Sequence, residues 1–366
     1  MEQEYRDRVN KFVKKLQDES IDATVLFGQE NTRYFTGFQV NQLTESVLII
    51  EQDGSISYLV PRLDFFRAKR DCWIESIHAF LEDTPDYLAP LRKLVKSKWK
   101  TIGIEQGSIT LHHLSYIQGI FNGNLKAIEQ LMTEQRKVKT ANEIVKLRKA
   151  GEIASLTMNM AKNYIVENKQ ITEREVTGFA KYVMDKNGAE NYSFEPFIMS
   201  GIDSALPRRV SSMKSLKEGE LILFDMGCIY QGYCSDITRT FCLGEASEEQ
   251  KEIYQIALEA QQLAIKTIKP GVIAQEVDKV ARDFIKKHGF GEFFPHLTGH
   301  GLGIGIHEYP IIDEGEESIL EENMVVTIEP GVYVPNIGAA RIEDMIFVTK
   351  DGYEYLTSSP REMILN

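Results

Sequence analysis

The sequence predicts an α+β protein of two domains, in which helices and strands follow one another along the chain. Its 366 residues correspond to roughly two domains of about 150 residues each. An apolar content of 43% and a charged content of 26% are ordinary for a folded globular protein. Apolar residues spaced three and four apart, typical of helices, alternate with short β-branched runs, typical of strands. These observations exclude a disordered or fibrous chain.

The first domain is predicted over residues 1–134, ahead of a charged segment at 136–140. Its first helix is indicated by the spacing of Val9, Phe12 and Leu16. Asp53-Gly54, between two β-type runs, is typical of a hairpin turn. The other predicted elements are strands at Ala23–Phe27, Val47–Ile50, Ile56–Val60 and Thr101–Ile104, a turn at Gly28–Asn31, and helices near 84–98 and 109–121. This part of the sequence contains no catalytic motif, so we expect it to be a scaffold.

The second domain is predicted over residues 135–366. Its first helix has a capping-box pattern, with Thr140 at the cap and Glu143 three residues later. The last 70 residues or so are rich in β-type runs. The predicted helices are 141–168, 172–187, 247–268 and 273–288, and the predicted strands include Pro196–Ser200, Leu221–Met226 and Ile237–Cys242.

Charge and cysteine content narrow the classes of function. A net charge of −12 and a pI near 5.2 argue against nucleic-acid binding and against anionic membrane surfaces, both of which favour basic proteins. Four cysteines without CxxC pairs indicate reduced thiols rather than a disulfide framework. The N-terminus is charged, and no run approaches the length of about 18 apolar residues that a membrane span needs. We therefore expect a cytoplasmic protein.

Acidic residues occur in facing pairs on two predicted hairpins. A hairpin that turns at Tyr230-Gln231 places Asp225 opposite Asp236, with Cβ atoms roughly 5 Å apart. A second hairpin, centred on Asn336, places Glu329 opposite Glu343. Two carboxylates this close within apolar strands would cost several kcal/mol to bury without a cation.

A histidine- and glycine-rich segment lies between the two hairpins, at Pro295–Gly303, and His307 follows it. One interpretation is that the acids are solvated and the histidines are core residues. The glycines also resemble a phosphate-binding loop, but the Lys-Ser/Thr ending of that motif is missing. Paired acids beside imidazoles favour a third interpretation, a site for two divalent cations that share carboxylates. An oxygen-rich ligand set without thiolates favours Mn²⁺, Co²⁺ or Fe²⁺.

Six motifs, in order, resemble the signature of the proline-specific metallopeptidases, the relatives of prolidase and aminopeptidase P. This family shares the pita-bread fold with methionine aminopeptidase and creatinase, and the resemblance covers essentially the whole chain. Asn31–Phe38 is similar to a segment of the family's N-terminal domain. The motifs are Phe224–Gly227, Ser235–Phe241, Gly299–Gly301, Ile306–Glu308, Ile328–Gly331 and Arg341–Asp344.

The resemblance implies a pita-bread catalytic domain with two divalent cations, Mn²⁺ or Co²⁺ first and Zn²⁺ or Fe²⁺ as alternatives. A hydroxide bridging the two ions would attack the scissile carbonyl. Glu329 would relay a proton, and His307 would stabilise the oxyanion. Asp236 and Glu343 would bridge the ions. The implied metal ligands are Asp225, Asp236, His300, Glu329 and Glu343, and the implied substrate-binding residues are His296, Phe194, Arg341 and Arg208.

Arg208 marks a departure from the family pattern. Many relatives have Ser-Ala-Leu-Pro-His where this chain has Ser-Ala-Leu-Pro-Arg at 204–208. The family histidine assists the leaving nitrogen, whereas an arginine stays protonated and is a poor proton donor. In addition, the arginine that follows His-Glu-x-Pro in many microbial prolidases is absent here, where Ile311-Ile312 follow Tyr309-Pro310. Either Arg208 binds a substrate carboxylate, or it faces solvent and Arg209 or another group fills the pocket.

The resemblance implies a dinuclear metallopeptidase that hydrolyses short peptides at Xaa-Pro bonds, as prolidase does. Alternatives are aminopeptidase P-like cleavage of longer peptides, a carboxypeptidase-like specificity shifted by Arg208, and a non-catalytic family member that binds a peptide or protein. By analogy with relatives, the N-terminal domain would be a scaffold and dimerisation module, so we expect a homodimer. No nucleic-acid or membrane partner is expected.

Overall fold

The chain divides into two structural units, and the division follows Arg136. The sequence prediction places this division after residue 134. The computed structural model describes residues 2–41, 43–81, 84, 86–168, 170–207 and 209–365. Each unit has an apolar core of its own.

A mixed sheet forms the centre of the N-terminal unit. The strands of its described residues are β1 Ala23–Leu26, β2 Val47–Glu51, β3 Ile56–Pro61, β4 Ile77–Phe80, β5 Thr101–Ile104 and β6 Asn124–Ala127, and its helices are α1 Glu2–Asp18, α2 Gln29–Thr36, α3 Phe65–Asp71, α4 Ala89–Leu94, α5 Leu111–Ile120 and α6 Glu129–Arg136. The strand order is β4-β3-β2-β1-β5-β6. The hairpin predicted at Asp53-Gly54 is confirmed, because β2 and β3 pair antiparallel and Gly54 has a φ of 87°.

The segment predicted as a turn at 28–31 instead begins helix α2. The carboxylate of Glu105 accepts hydrogen bonds from the backbone N–H groups of Phe27 and Gly28, at 3.0 Å each, and from the Asn31 amide. Glu105, which is distant in sequence, therefore accepts hydrogen bonds from backbone N–H groups at the N-terminus of α2. A window of local sequence does not contain this partner, which is why the turn prediction is wrong.

The C-terminal unit combines four long helices with several sheets in its described residues. The predicted capping box is confirmed, because the Thr140 hydroxyl accepts from Glu143 N–H at 3.3 Å and the Glu143 carboxylate from Thr140 N–H at 2.8 Å. The helices are α7 Ala141–Glu167, α8 Glu173–Lys186, α9 Glu248–Thr267 and α10 Ala274–Lys287. The strands are β7 Asn191–Tyr192, β8 Phe197–Ser200, β9 Leu221–Met226, β10 Cys228–Tyr230, β11 Tyr233–Cys234, β12 Ile237–Leu243, β13 Gly299–Gly301, β14 Glu308–Ile312, β15 Val325–Ile328, β16 Gly331–Val334, β17 Gly338–Arg341, β18 Asp344–Thr349, β19 Gly352–Tyr355 and β20 Ile364–Leu365.

The two larger sheets of this unit each pack against their own pair of helices. Strands β20-β12-β9-β8 lie against α7 and α8, with Phe224 and Met158 in the shared core. Strands β14-β13-β15-β18-β19 lie against α9 and α10, with Val326 and Ala260 in the core. Helices thereby bury one face of each sheet, and the opposite face of each sheet can contribute side chains to a site.

The first acidic hairpin has a register that differs from the predicted one. Asp225 pairs with Thr238, so the expected direct pairing of Asp225 with Asp236 is wrong. The chain turns at Gln231-Gly232, where φ is positive at both residues, as a two-residue hairpin turn of this kind requires. The shift amounts to two residues, so Asp236 stays on the same face as Asp225, because side chains alternate with a period of two.

The second acidic hairpin has the predicted register. Ile328 pairs with Asp344 on one side, and Gly331 pairs with Arg341 on the other. Glu329 therefore lies opposite Glu343, which confirms the predicted facing pair.

The two hairpins meet along β12. The Glu343 N–H donates to Thr238 O at 3.0 Å, and the Thr240 hydroxyl accepts from Arg341 N–H at 3.0 Å. These bonds join the end of one hairpin to the other. The four acidic residues are thereby held at one place in the C-terminal unit.

A buried ionic network lies directly behind this junction. Arg239 is 1% exposed and donates to the backbone oxygens of Thr238, Glu343 and Ser359 and to the Asp344 carboxylate, the last at 2.7 Å. Asp344 also accepts from three other side chains, those of Gln261, Thr357 and Arg361. Burial opposes ionisation, but Arg239 and Arg361 still hold the pKa of Asp344 below its usual value.

We predict that Arg239→Met strongly destabilises the C-terminal unit. Removing one member of a buried ion pair costs about 3–5 kcal/mol, which would lower the melting temperature by roughly 10 °C for a unit of this size. Differential scanning calorimetry on chelator-treated protein measures the change. Arg148→Met is the control, since Arg148 pairs with Glu354 at the surface and such pairs are worth about 1 kcal/mol or less. Equal melting temperatures for the two variants would contradict a stabilising role for the network.

Candidate metal centre

A cavity of about 420 Å³ lies in the C-terminal unit and collects most of the predicted site residues. Its apolar wall is formed by Phe194, Phe197, Pro207, Leu297 and Ile306. The polar lining consists of Asp225, Asp236, His296, His300, His307, Glu329 and Arg341. Of the other residues predicted for the site, Glu343 is buried and lies close to Asp236 and His300, whereas Arg208 lies outside the described residues.

The acidic residues and His300 project from the ends of different strands. Asp225 belongs to β9, and Asp236 directly precedes β12. Glu329 directly follows β15, and Glu343 directly precedes β18. His300 lies in the middle of β13, between glycines whose Cβ atoms would collide with backbone oxygens of neighbouring strands. The glycines therefore allow the close backbone approach that brings the imidazole to the acids.

Three of these side chains come close enough to share one cation. One potential ligand atom each from Asp236, His300 and Glu343 lies within 4.8 Å of the others, and the residues are 5%, 2% and 1% exposed. The His300 Nε2 atom is 3.6 Å from Asp236 Oδ2 and 3.4 Å from Glu329 Oε1. Its Nδ1 atom lies 2.9 Å from Gly301 O, so Nδ1 carries the proton and Nε2 is left as a ligand.

Several buried carboxylate oxygens at this site have no hydrogen-bond partner among the described residues. They are Asp225 Oδ1, Asp236 Oδ1 and Glu343 Oε1. A buried unpaired polar oxygen costs about 1–3 kcal/mol, and more when it is charged. Three such atoms in one cluster, beside a neutral imidazole nitrogen, fit the ligand preferences of divalent cations.

The pKa values of the acids also show that their negative charges are not compensated. Burial, followed by repulsion from Glu343, Asp225 and Glu329, raises the pKa of Asp236 well above its usual value. Burial and the neighbouring carboxylates do the same to the pKa of Glu343. The pKa of Glu329 is raised to about 7, with burial as the main cause. A cation at the site would favour the ionised forms of all these groups.

Arg341 and Thr238 contact the acids directly. The Arg341 guanidinium donates to the Asp225 carboxylate and to the Tyr333 hydroxyl, while its Nε donates to Thr238 Oγ1 at 3.2 Å. Thr238 in turn donates to Glu343 Oε2 at 2.8 Å. Arg341 lines the cavity, and its role in substrate binding stays a prediction.

Thr238 and Tyr333 were not among the residues predicted for the site, although Thr238 lies within the motif at 235–241.

The other two histidines of the cavity, His296 and His307, have different surroundings. His296 Nε2 lies 3.0 Å from the Tyr333 hydroxyl, and burial lowers the pKa of His296 to about 4. His307 is exposed, and its ring centroid lies 4.4 Å from that of His300. The segment beside His307 is fixed by Glu308, which accepts from Gly305 N–H at 2.9 Å and pairs with buried Lys139 at 3.0 Å.

A polar network that the sequence did not reveal holds the histidine segment against Glu329. Thr298 O accepts from Glu329 N–H at 2.7 Å, and the Thr298 hydroxyl donates to Asp278 at 2.6 Å. Asp278 is 1% exposed and forms a two-point ion pair with Arg282, which also donates to His296 O. Residues of α10 thus fix the backbone that precedes His300.

Family models match both units of the chain. Residues 145–350 match metallopeptidase family M24, and residues 8–138 match the Creatinase/Prolidase N-terminal domain. The M24 match alone covers more than half of the chain. The chain belongs to metallopeptidase family M24. This M24 chain is therefore a metallopeptidase-type hydrolase, and its family implies divalent cations at the acidic cluster.

Relatives of the M24 chain match it over nearly its full length. The Xaa-Pro dipeptidase of Pyrococcus furiosus is 38% identical and covers 98% of this chain and 100% of the relative. The crystal structure of the prolidase from Pyrococcus horikoshii OT3 has a TM-score of 0.91 at 37% identity, over 98% of this chain and 100% of its own. The X-Pro aminopeptidase from Thermotoga maritima MSB8 has a TM-score of 0.89 at 33% identity, over 97% and 99%.

These comparisons confirm the predicted family and fold class. The M24 chain is α+β, with a pita-bread catalytic domain after a creatinase-type N-terminal domain. Within the described residues, no helix has the length and apolar character that crossing a membrane demands. Arg209, offered as an alternative pocket residue, is not among the described residues that line the cavity; it donates to Glu173 and Ser212 instead.

We predict that the metal-free M24 chain loses stability as the pH rises from about 6 to about 7.5. Unfolded carboxyl groups are already ionised in this range. The folded chain holds a proton on Glu329 until its pKa of about 7, and the pKa values of Asp236 and Glu343 are also raised well above their usual values. Each proton that the folded chain holds and the unfolded chain has released lowers the free energy of unfolding by about 1.4 kcal/mol per pH unit. The imidazoles of His296 and His300 are neutral in the folded chain throughout this range.

Melting temperatures of chelated and Mn²⁺-saturated protein across this pH range test the prediction. We expect a falling melting temperature without metal and a flat one with Mn²⁺. Asp236→Asn should reduce the slope of the metal-free protein, because it removes one of the repelling charges. A slope that is the same with and without Mn²⁺ would show that the acids are compensated by other groups.

Proposed function

We propose that the M24 chain is a dinuclear metal-dependent dipeptidase that hydrolyses Xaa-Pro bonds in short peptides. The observation that carries this proposal is the cluster of buried, unpaired carboxylate oxygens around His300, in a chain whose full-length relatives include a named Xaa-Pro dipeptidase. The volume of the cavity is in keeping with a short peptide.

The cluster supports a division of the ligands between two cations. Asp236 and Glu343 lie deepest and repel every other acid, so we assign them as the shared ligands. Asp225 would complete one site, and His300 with Glu329 the other. When bound, the two divalent cations would polarise the scissile carbonyl and lower the pKa of a water molecule.

Groups on the cavity wall supply the remaining functions. We assign Glu329, whose carboxylate lines the cavity beside His300, to accept a proton and to pass it to the leaving nitrogen. We assign the exposed imidazole of His307, which lines the cavity, to donate a hydrogen bond to the oxygen on which negative charge develops. The apolar wall that includes Phe194, Phe197 and Pro207 suits the ring of a proline residue.

The finer properties of the enzyme belong to the same proposal. We assign Mn²⁺ or Co²⁺ as the working cations, with Zn²⁺ or Fe²⁺ as alternatives, because the ligand set is rich in oxygen. We place the protein in the cytoplasm as a homodimer, with its N-terminal unit as the dimerisation module. A short peptide is its partner in catalysis, and neither nucleic acid nor membrane is assigned as a partner.

Two observations keep other specificities in view. A relative named X-Pro aminopeptidase covers nearly the whole chain, which supports cleavage of longer peptides as the first alternative. Arg208, where many relatives have histidine, supports a carboxypeptidase-like alternative in which the guanidinium binds a substrate carboxylate. A non-catalytic peptide-binding protein is the alternative of a different class.

A panel of Xaa-Pro dipeptides, a Xaa-Pro tripeptide and a longer peptide tests these functions, with Mn²⁺ or Co²⁺ supplied. We expect the dipeptides to be cleaved with the highest kcat/KM and EDTA to abolish the activity. Preference for the longer peptide would favour the aminopeptidase alternative. Binding without cleavage of any peptide would favour the non-catalytic one.

We predict about two divalent cations per chain, measured by inductively coupled plasma mass spectrometry on gently purified protein. Glu343→Gln should lower both metal content and kcat, because it removes a charge that both cations share. Glu322→Gln, an exposed acid of the same unit, is the matched control. Near-normal turnover of Glu343→Gln at saturating Mn²⁺ would contradict the bridging assignment.

We predict that His307→Ala lowers kcat by roughly 10²–10³-fold, the usual loss for one oxyanion donor. Its metal content should match that of the parent protein, because His307 is assigned to the substrate and not to a cation. Metal analysis and steady-state kinetics on the same preparation measure both quantities. A variant that has lost one cation would instead identify His307 as a ligand.

We predict that Arg208→His raises kcat/KM on Xaa-Pro dipeptides by about tenfold, which corresponds to about 1.4 kcal/mol. The reason is that histidine can supply a proton to the leaving nitrogen, whereas arginine cannot. Both proteins are compared on the same dipeptide and on a longer peptide. Unchanged values on both substrates would remove Arg208 from the active site.

A further inference from the structure

The loop that contributes Pro207 to the cavity has ends that converge on a single buried carboxylate. The 200–212 loop begins at the last residue of β8 and carries Pro207, which lines the cavity. Its first residue, Ser200, and its last, Ser212, both contact Glu173. Glu173 is the first residue of α8 and is 0% exposed.

The Glu173 carboxylate accepts hydrogen bonds from both ends of the loop. Its Oε1 accepts from the N–H and hydroxyl of Ser200, at 2.9 and 2.8 Å. Its Oε2 accepts from the N–H and hydroxyl of Ser212, at the same two distances. The Arg209 guanidinium, within the loop, donates to Oε1 at 3.0 Å. Burial alone would raise the pKa of Glu173, but these donors hold it below the usual value.

Glu173 is not needed to begin the helix on which it lies. The capping box of α8 is formed by Thr172 and Glu175, whose carboxylate accepts from the Thr172 N–H at 2.8 Å. The buried carboxylate of Glu173 therefore serves the loop, and the positive end of the helix dipole favours its charge.

The loop has two further anchors. In its middle, the Ser204 hydroxyl accepts from Ala339 N–H at 2.8 Å, in β17, the strand that carries Arg341. Near its end, the Ser211 hydroxyl accepts from Ile198 N–H in β8 at 2.7 Å. The described residues of the loop are thus held between Glu173 on one side and β17 on the other. Loss of the contacts to Glu173 would loosen the loop that bears Pro207, because both of its ends would lose their hydrogen bonds to the carboxylate.

We propose that Glu173 is a positioning residue for substrate recognition, which holds the 200–212 loop so that Pro207 stays against the bound peptide. This inference rests on the proposed peptidase function, since the loop is assigned to the substrate and not to the cations. Glu173 contacts none of the proposed metal ligands in the hydrogen bonds described above. Its loss should therefore weaken peptide binding while metal content and the hydrolytic step stay close to those of the parent.

Glu173→Gln, compared with Glu175→Gln, tests the proposal in the full-length Mn²⁺ enzyme. Both variants remove one negative charge from the first turn of α8, and glutamine still serves in a capping box. We expect Glu173→Gln to raise KM for a Xaa-Pro dipeptide by about tenfold, with kcat within about threefold and unchanged metal content. Glu175→Gln should leave KM within twofold. A purely structural role would lower the melting temperature without separating KM from kcat.

Hydrogen–deuterium exchange of the metal-free protein gives a readout that does not need activity. Exchange at Ser200 and Ser212 should become faster in Glu173→Gln than in Glu175→Gln, and exchange within α9 should not change. Equal exchange in the two variants would overturn the proposed role of Glu173. Failure of the parent protein to cleave any peptide would contradict the proposed function alone, and the exchange experiment would still test Glu173.

Ser212→Ala keeps the proposal testable if Glu173→Gln does not fold. It removes one hydroxyl contact to Glu173 and leaves the backbone N–H in place. We expect KM to rise by about threefold and loop exchange to quicken, with metal content unchanged. Parental KM and parental exchange in Ser212→Ala would overturn the role of the loop ends.

Discussion

The burial of four carboxylates in one cluster is the constraint on which the rest of the C-terminal unit depends. Asp225, Asp236, Glu329 and Glu343 are brought together by two hairpins that meet along β12. Burial raises the pKa of all four, and repulsion from neighbouring carboxylates adds to it at Asp236, Glu329 and Glu343. Such a cluster opposes folding, so the surrounding structure must be rigid enough to hold it. The helices behind each sheet, and the backbone bonds that join the hairpins, provide that rigidity.

Two consecutive residues show how this chain distinguishes structural charge from functional charge. Asp344 and Glu343 are 0% and 1% exposed, yet their surroundings are opposite. Asp344 accepts from two guanidinium groups and two other side chains, and its pKa is lowered. Glu343 accepts from the Thr238 hydroxyl, leaves its other oxygen without a partner among the described residues, and has a raised pKa. The first carboxylate is compensated by other side chains of the protein, whereas the second keeps an uncompensated oxygen, as a candidate metal ligand would.

The sequence predicted features that depend on local patterns, and the failures have non-local causes. The register of the second acidic hairpin and the capping box of α7 were predicted correctly from nearby residues. The predicted register of the first hairpin was wrong by two residues, because Gln231 has a positive φ in the turn, which its residue type did not indicate. Helix α2 was missed because its entrance is satisfied by Glu105, far along the chain. The candidate ligands came from motifs that resemble a family, whereas the supporting contacts of Thr238, Asp278 and Glu173 required the structure.

The placement of residues on strands and loops separates the metal site from substrate recognition. The candidate metal ligands lie on strands or directly beside their ends, where backbone ladders fix them. The residues assigned to the peptide lie mainly on connecting segments, and buried carboxylates hold two of these in place, Glu308 beside His307 and Glu173 at the 200–212 loop. Under the proposed function, a substitution on a connecting segment should therefore alter the peptide that is accepted without disturbing the acidic cluster. Metal ligands fixed on strands and specificity residues carried on loops would explain why relatives of this chain include both a protein named Xaa-Pro dipeptidase and one named X-Pro aminopeptidase.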